Sequence, residues 1–119
     1  MELVDEIEEL IMMHQEGPYW DFKREWYDDS KDGDLLIDII CMANNLVDRD
    51  AYIIIGVNEE CDYAIQDVSQ DANRRNTQML TDFIRGKKFA GDFRPVVTVE
   101  QVHLDGGLVD VIVVHNSIN

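Results

Sequence analysis

Residues 51–57 read Ala-Tyr-Ile-Ile-Ile-Gly-Val, AYIIIGV. A short unbroken apolar run rich in β-branched side chains suits a strand covered on both faces, since a strand with one wet face alternates apolar and polar residues. The run therefore predicts the central strand of a sheet. Its Gly56 predicts a point where another backbone or a ligand comes close. Working outward, Leu35, Ile39, Met42, Ala43 and Leu46 form an apolar helical stripe that should end near Asn45, with the polar run Asp28 to Asp34 as the loop that caps it. Upstream, Trp20 to Trp26 alternates, with Trp20, Phe22 and Trp26 on one side and Asp21, Lys23 and Glu25 on the other, as a half-buried strand requires.

Leu3, Ile7, Leu10 and Ile11 recur at helical spacing among Glu2, Asp5, Glu6, Glu8 and Glu9, which predicts an amphipathic helix with an acidic outer face, ended by Gly17 and Pro18. Beyond the central run, the turn Asn58 to Asp62 leads to a short strand over Tyr63 to Gln66. A third helix follows, from about Asn73 to Arg85, buries Leu80, Phe83 and Ile84, and stops at Gly86. Two last strands, Pro95 to Leu104 and Leu108 to Val114, flank the hairpin signal Asp105-Gly106-Gly107. The reading is α+β, with a mixed, mostly antiparallel sheet of about five strands and about three helices in a single domain, residues 1–119.

At 119 residues and 45% hydrophobic content, the chain can bury one core. No run is long and apolar enough to span a membrane, and the acidic start is unlike a secretion signal, so a cytoplasmic location is expected. Cys41 and Cys61 have neither disulfide nor zinc spacing and are expected as free thiols. The chain stops at Asn119 directly after an apolar strand. The expectation is an N-terminal piece of a longer protein, with further domains beyond Asn119 among its partners and a homodimer left open.

The net charge of −15 conceals an asymmetry, because six of the ten basic residues lie between Ala72 and Arg94. Arg74, Arg75, Arg85, Lys87, Lys88 and Arg94 face only Asp82 and Asp92 within that stretch. A polyanion repelled elsewhere could dock there. Arg74 and Arg75 at the start of the third helix oppose the helix dipole, so either a bound phosphate or pairing with nearby acids must account for them. Lys87, Lys88 and Arg94 flank Phe89 and Phe93, a mixture suited to backbone phosphate and stacked bases, or to core aromatics beneath solvated lysines.

Glu16, Asp21 and Glu59 lie near the ends of predicted strands. Carboxylates from separate segments are what a Mg or Mn site needs, since hard cations take oxygen ligands and keep water for chemistry. Lys23 could neutralise charge developing on a phosphate or pair with an acid. In a chain with 25 acids, solvated carboxylates are the plainer explanation, and spacing leaves both open. His14, His103 and His115 lack ligand spacing, Ser69 and Ser117 lack a nucleophile signature, and neither a Walker loop nor GxGxxG is present.

The order EGPYWDFKREW, DLLIDIICMANN, DAYIIIGVNEE and a valine-rich hairpin resembles the Schlafen-like, Alba-like DNA-binding domain of bacterial regulators, which also carries a divergent AAA ATPase-like label. The family pattern falls here on Glu16, on Asp21-Phe22-Lys23, on Ala43-Asn44, and on Gly56-Val57 with Glu59. In Schlafen members that cut RNA, three carboxylates at these places form the nuclease centre. The resemblance thus carries that role to Glu16, Asp21 and Glu59.

Three readings follow. The first is a DNA- or RNA-binding module using Arg74, Arg75, Arg85, Lys87, Lys88 and Arg94. The second is a metal-dependent ribonuclease with Glu16, Asp21 and Glu59 as ligands and Lys23 beside them. The third is an acidic protein-interaction domain. ATP binding is weakest, resting on the family label alone.

Overall fold

The computed structural model describes residues 1–87 and 94–116. Among the described residues, three helices, α1 (Leu3–Met12), α2 (Asp32–Ala43) and α3 (Thr77–Arg85), accompany six strands. These are β1 (Trp20–Lys23), β2 (Ala51–Ile55), β3 (Val57–Asn58), β4 (Ala64–Ile65), β5 (Val97–Leu104) and β6 (Gly107–Val114). Four strands form the main sheet in the order β1-β2-β6-β5, while β3 and β4 pair separately. β1 runs parallel to β2, and β2-β6 and β6-β5 are antiparallel. The α+β class and the mostly antiparallel mixed sheet are as the sequence predicts.

The apolar run occupies an interior place, with every residue of β2 buried. Its alternate side chains feed two cores. Ile53 and Ile55 join Leu35, Ile39, Leu80, Ile84 and Ile112 beneath α2 and α3. Tyr52 and Ile54 join Ile7, Leu10, Phe22, Val109 and Val111 beneath α1. Helices on both faces leave no wet side, hence the continuous apolar pattern.

Gly56, at φ +116°, turns the chain off β2, and the backbone that approaches it is Gln66, whose N–H bonds the Gly56 carbonyl at 2.7 Å. An added Cβ would lie 3.1 Å from the Gln66 oxygen, so the glycine serves packing between chain segments. β3 thereby packs against β1 and carries Glu59 toward it.

Several boundaries differ from expectation. β1 ends at Lys23, and Trp26 instead points into the α2/α3 core, drawn by burial and by its indole bond to Asp110. Helix α1 ends at Met12, ahead of Gly17 and Pro18, with His14 at φ 51°. Leu46 lies past the end of α2 and is 98% exposed, so the apolar stripe stops at Ala43. Helix α3 begins at Thr77, because the Asn76 side chain caps it by accepting from the Met79 N–H at 2.9 Å. Arg74 and Arg75 consequently lie in the preceding loop and never oppose the dipole of α3. Both cysteines are free and exposed, as expected. Among the described residues, no helix is long and apolar enough to cross a membrane.

Candidate functional site

β1 is an edge strand, and Asp21 and Lys23 stand on the face that α2 covers, in register with Ile53 and Ile55. Three segments bring carboxylates to this edge. Glu16 comes from the turn before β1, Asp21 from β1 itself, and Glu59 from the 3-10 turn after β3. One oxygen of each lies within 4.8 Å of the others. Glu16 and Glu59 are exposed and Asp21 is half-buried.

The turn bearing Glu16 is held by close packing. The Trp20 indole donates to the Gln15 carbonyl at 2.8 Å, the Gly17 N–H donates to the Trp20 carbonyl at 3.2 Å, and a Cβ on Gly17 would sit 2.2 Å from the Trp20 ring. Only a glycine fits under that indole. The turn bearing Glu59 begins with the Asn58 side chain accepting from the Glu60 N–H at 3.0 Å, and ends in two consecutive left-handed residues, Asp62 and Tyr63. Left-handed backbone is costly for tyrosine and persists where packing imposes it. Here the Tyr63 ring stacks on His14 at 4.5 Å and meets the edge of Phe22 at 5.5 Å, and His14 lies 3.6 Å from Asp62. His14, itself left-handed, thus ties the Glu16 turn to the Glu59 turn. No spacing in the sequence signals this role of His14.

Burial raises the Asp21 carboxyl to about 6, helped by the hydrogen bond that the protonated carboxyl donates to Glu16 and by that neighbour's charge, while Lys23 pulls the other way. Lys23 Nζ lies 3.5 Å from Asp21 Oδ2 and 3.5 Å from Asp38 Oδ2. Burial tends to lower the Lys23 ammonium, but the Asp21 and Asp38 carboxylates outweigh it and the net direction is up. Asp38 in turn accepts from the Tyr27 hydroxyl at 2.6 Å, and burial followed by that bond pushes the phenol up. Asp38 and Tyr27 were not singled out from the sequence. Their only signal is retrospective: Asp38 lies on α2, the helix that packs on β2, the neighbour of β1.

A family model described as Schlafen, AlbA_2 matches residues 16–119, beginning at the first of these carboxylates. The chain belongs to the Schlafen AlbA_2 family. Membership supports a nucleic-acid-related domain. No curated protein and no solved structure matches the chain. Helix α1 lies upstream of the Schlafen AlbA_2 match, and the hairpin β5-β6 falls within it.

The basic residues of this Schlafen AlbA_2 domain are dispersed among acids. Arg74 grips Asp110 through Nε at 2.9 Å and Nη2 at 3.0 Å, and Asp110 also accepts from the Trp26 indole at 2.8 Å. Arg75 binds Asp32 and lies against the Phe83 ring at 5.4 Å. Arg85 pairs with Asp82 at 3.4 Å, and Arg94 donates to the Arg85 carbonyl at 2.9 Å. Lys87 lies over Phe83, 4.8 Å from its centroid. Lys88, Phe89 and Phe93 lie outside the described residues. Of the two explanations for Arg74 and Arg75, pairing with acids is the one these contacts supply. The signal available in the sequence was Asp110 itself, a lone acid in the apolar strand Leu108 to Val114.

Proposed function

We propose that this domain is a metal-dependent ribonuclease whose metal ligands are Glu16, Asp21 and Glu59. The observation that carries this reading is the convergence of those three carboxylates, from three separate segments, with the ammonium of Lys23 3.5 Å from one of them. Oxygens on one Mg2+ or Mn2+ ion at about 2.1 Å lie at most about 4.2 Å apart. The three carboxylate oxygens, within 4.8 Å of one another, approach that spacing. The donors are hard oxygens, as these ions prefer, and a half-buried Asp21 that resists ionisation beside Glu16 is the electrostatic setting a cation relieves.

A divalent ion held there supplies a bound water of lowered pKa and a positive charge against the phosphate. The remaining chemistry belongs to the chain. Lys23, held from both sides by Asp21 and Asp38, keeps a fixed cation at the cluster, where it opposes charge building on phosphate oxygens. The Tyr27 bond to Asp38 fixes the far anchor of that lysine. RNA as substrate follows from the family resemblance. Nucleic-acid binding without cleavage, through Arg74, Arg75, Arg85, Lys87, Lys88 and Arg94, draws less support, because three of these guanidiniums already face carboxylates.

The test is cleavage of single-stranded and structured RNA, and of DNA, with Mn2+, with Mg2+ and with chelator. Metal-dependent RNA cleavage that falls at least a hundredfold in Asp21→Asn and Glu59→Gln, with neither variant melting below wild type in the metal-free state, is expected. RNA left intact under every metal condition, by a protein shown to be folded, overturns the reading.

A further inference from the structure

Lys23 is shared between two features. One side of it meets the carboxylate cluster. The other forms part of a cleft of about 350 Å³ lined also by Glu25, Trp26, Tyr27, Lys31, Asp34, Ile37 and Asp38. Nothing in the proposed chemistry uses Lys31, Asp34 or Ile37.

We propose that this cleft is a subsite for a single nucleotide, the one flanking the phosphate that is cleaved. The inference rests on the ribonuclease reading for the role of that nucleotide, though not for its binding. The volume lies at the lower end of small-ligand clefts, which run from about 300 to 1,000 Å³. Its floor is fixed, since Trp26 and Tyr27 are buried at 2% and 6% exposure and both are hydrogen-bonded, to Asp110 and Asp38. On such a floor the lining chemistry matches the three parts of a nucleotide. Lys31, exposed at the end of the 3-10 turn Asp29–Lys31, offers an ammonium to a phosphate. Glu25 and Asp34, both exposed, accept from sugar hydroxyls or base amino groups. Ile37 is 59% exposed on α2, an apolar surface on which a base can rest. The same carboxylates set a limit, because they repel a second phosphate. The cleft therefore takes one nucleotide rather than a run of backbone, and the next phosphate falls at Lys23, where the carboxylates converge.

The experiment is a titration of the metal-free full chain with 5′-AMP, followed by amide chemical shifts, with adenosine as control. Shifts concentrated at Lys31, Asp34, Ile37 and Asp38 are expected. Losing one lysine contact to phosphate weakens binding about fivefold, so Lys31→Ala and the use of adenosine should each do so. The lysine is exposed, and its truncation leaves the fold intact. On single-stranded RNA, Lys31→Ala should raise KM about fivefold at unchanged kcat, as loss of uniform binding requires. AMP that moves no cleft resonance, or binds wild type and Lys31→Ala alike, overturns the subsite. So does RNA cleavage with the same KM in both proteins. AMP binding in the cleft of a protein that cleaves nothing supports the nucleotide site and removes the ribonuclease reading alone.

Discussion

Replacing Arg74 with alanine separates a structural arginine from a nucleic-acid ligand. Asp110 is 1% exposed, and apart from Arg74 its side chain meets only the Trp26 indole among the contacts described. Removing the guanidinium leaves a carboxylate at the bottom of the sheet with one neutral donor. Breaking a buried pair in this way costs about 3–5 kcal/mol. Arg74 retains 27% exposure, so water reaches part of the gap and places the loss near the lower bound, about 3 kcal/mol. For a domain of this size that is a fall in Tm of roughly 10 °C. Urea denaturation of wild type, Arg74→Ala, Asp110→Asn and the double variant measures it, and the cycle should return a coupling of about 1.5–3 kcal/mol. Asp110→Asn also removes the buried charge, so the double variant should be more stable than Arg74→Ala alone. Stability within about 0.5 kcal/mol of wild type in Arg74→Ala, together with lost affinity for RNA, would refute the reasoning and return Arg74 to a nucleic-acid surface.

Asp21→Asn should stabilise the metal-free protein at neutral pH. The folded carboxyl titrates near 6 against 3.8 unfolded, so the fold retains a proton that the unfolded chain releases, and wild-type stability declines as pH rises between those values. The shift corresponds to about 3 kcal/mol at most, and to about 1–2 kcal/mol with solvent screening. The advantage of the variant should be absent below pH 3.8, grow to pH 6 and stay level above. An advantage independent of pH in thermal melts would exclude this origin. Gly17→Ala should cost about 1–3 kcal/mol by overpacking against Trp20, with a blue or red shift in tryptophan emission and weaker Mn2+ binding. Unchanged stability and emission would show that the indole is not seated on that glycine. Mn2+ should raise the Tm of wild type at neutral pH and leave that of Glu59→Gln nearly unmoved.

Much of the architecture was written locally. The AYIIIGV run placed β2 inside the sheet, because a strand with both faces dry needs no polar alternation, and Asp105-Gly106 marked the β5-β6 turn by its tolerance of positive φ. The three carboxylates could be named from the sequence as candidates, and the family resemblance gave the same three. Their meeting depends on Gly17 beneath Trp20, on Gly56 turning β3 toward β1, and on the His14–Tyr63 stack, which joins segments far apart in the chain. The fate of the arginines was equally a tertiary matter. Charge counted along the chain made residues 72–94 a cationic stretch, yet Arg74 and Arg75 are spent on Asp110 and Asp32, 36 and 43 residues away. Local pattern fixes which backbone forms where, since propensity and periodicity act over a few residues. Which charges meet is decided by folding, because Coulomb attraction depends on separation in space and on burial, and neither is carried by position in the sequence.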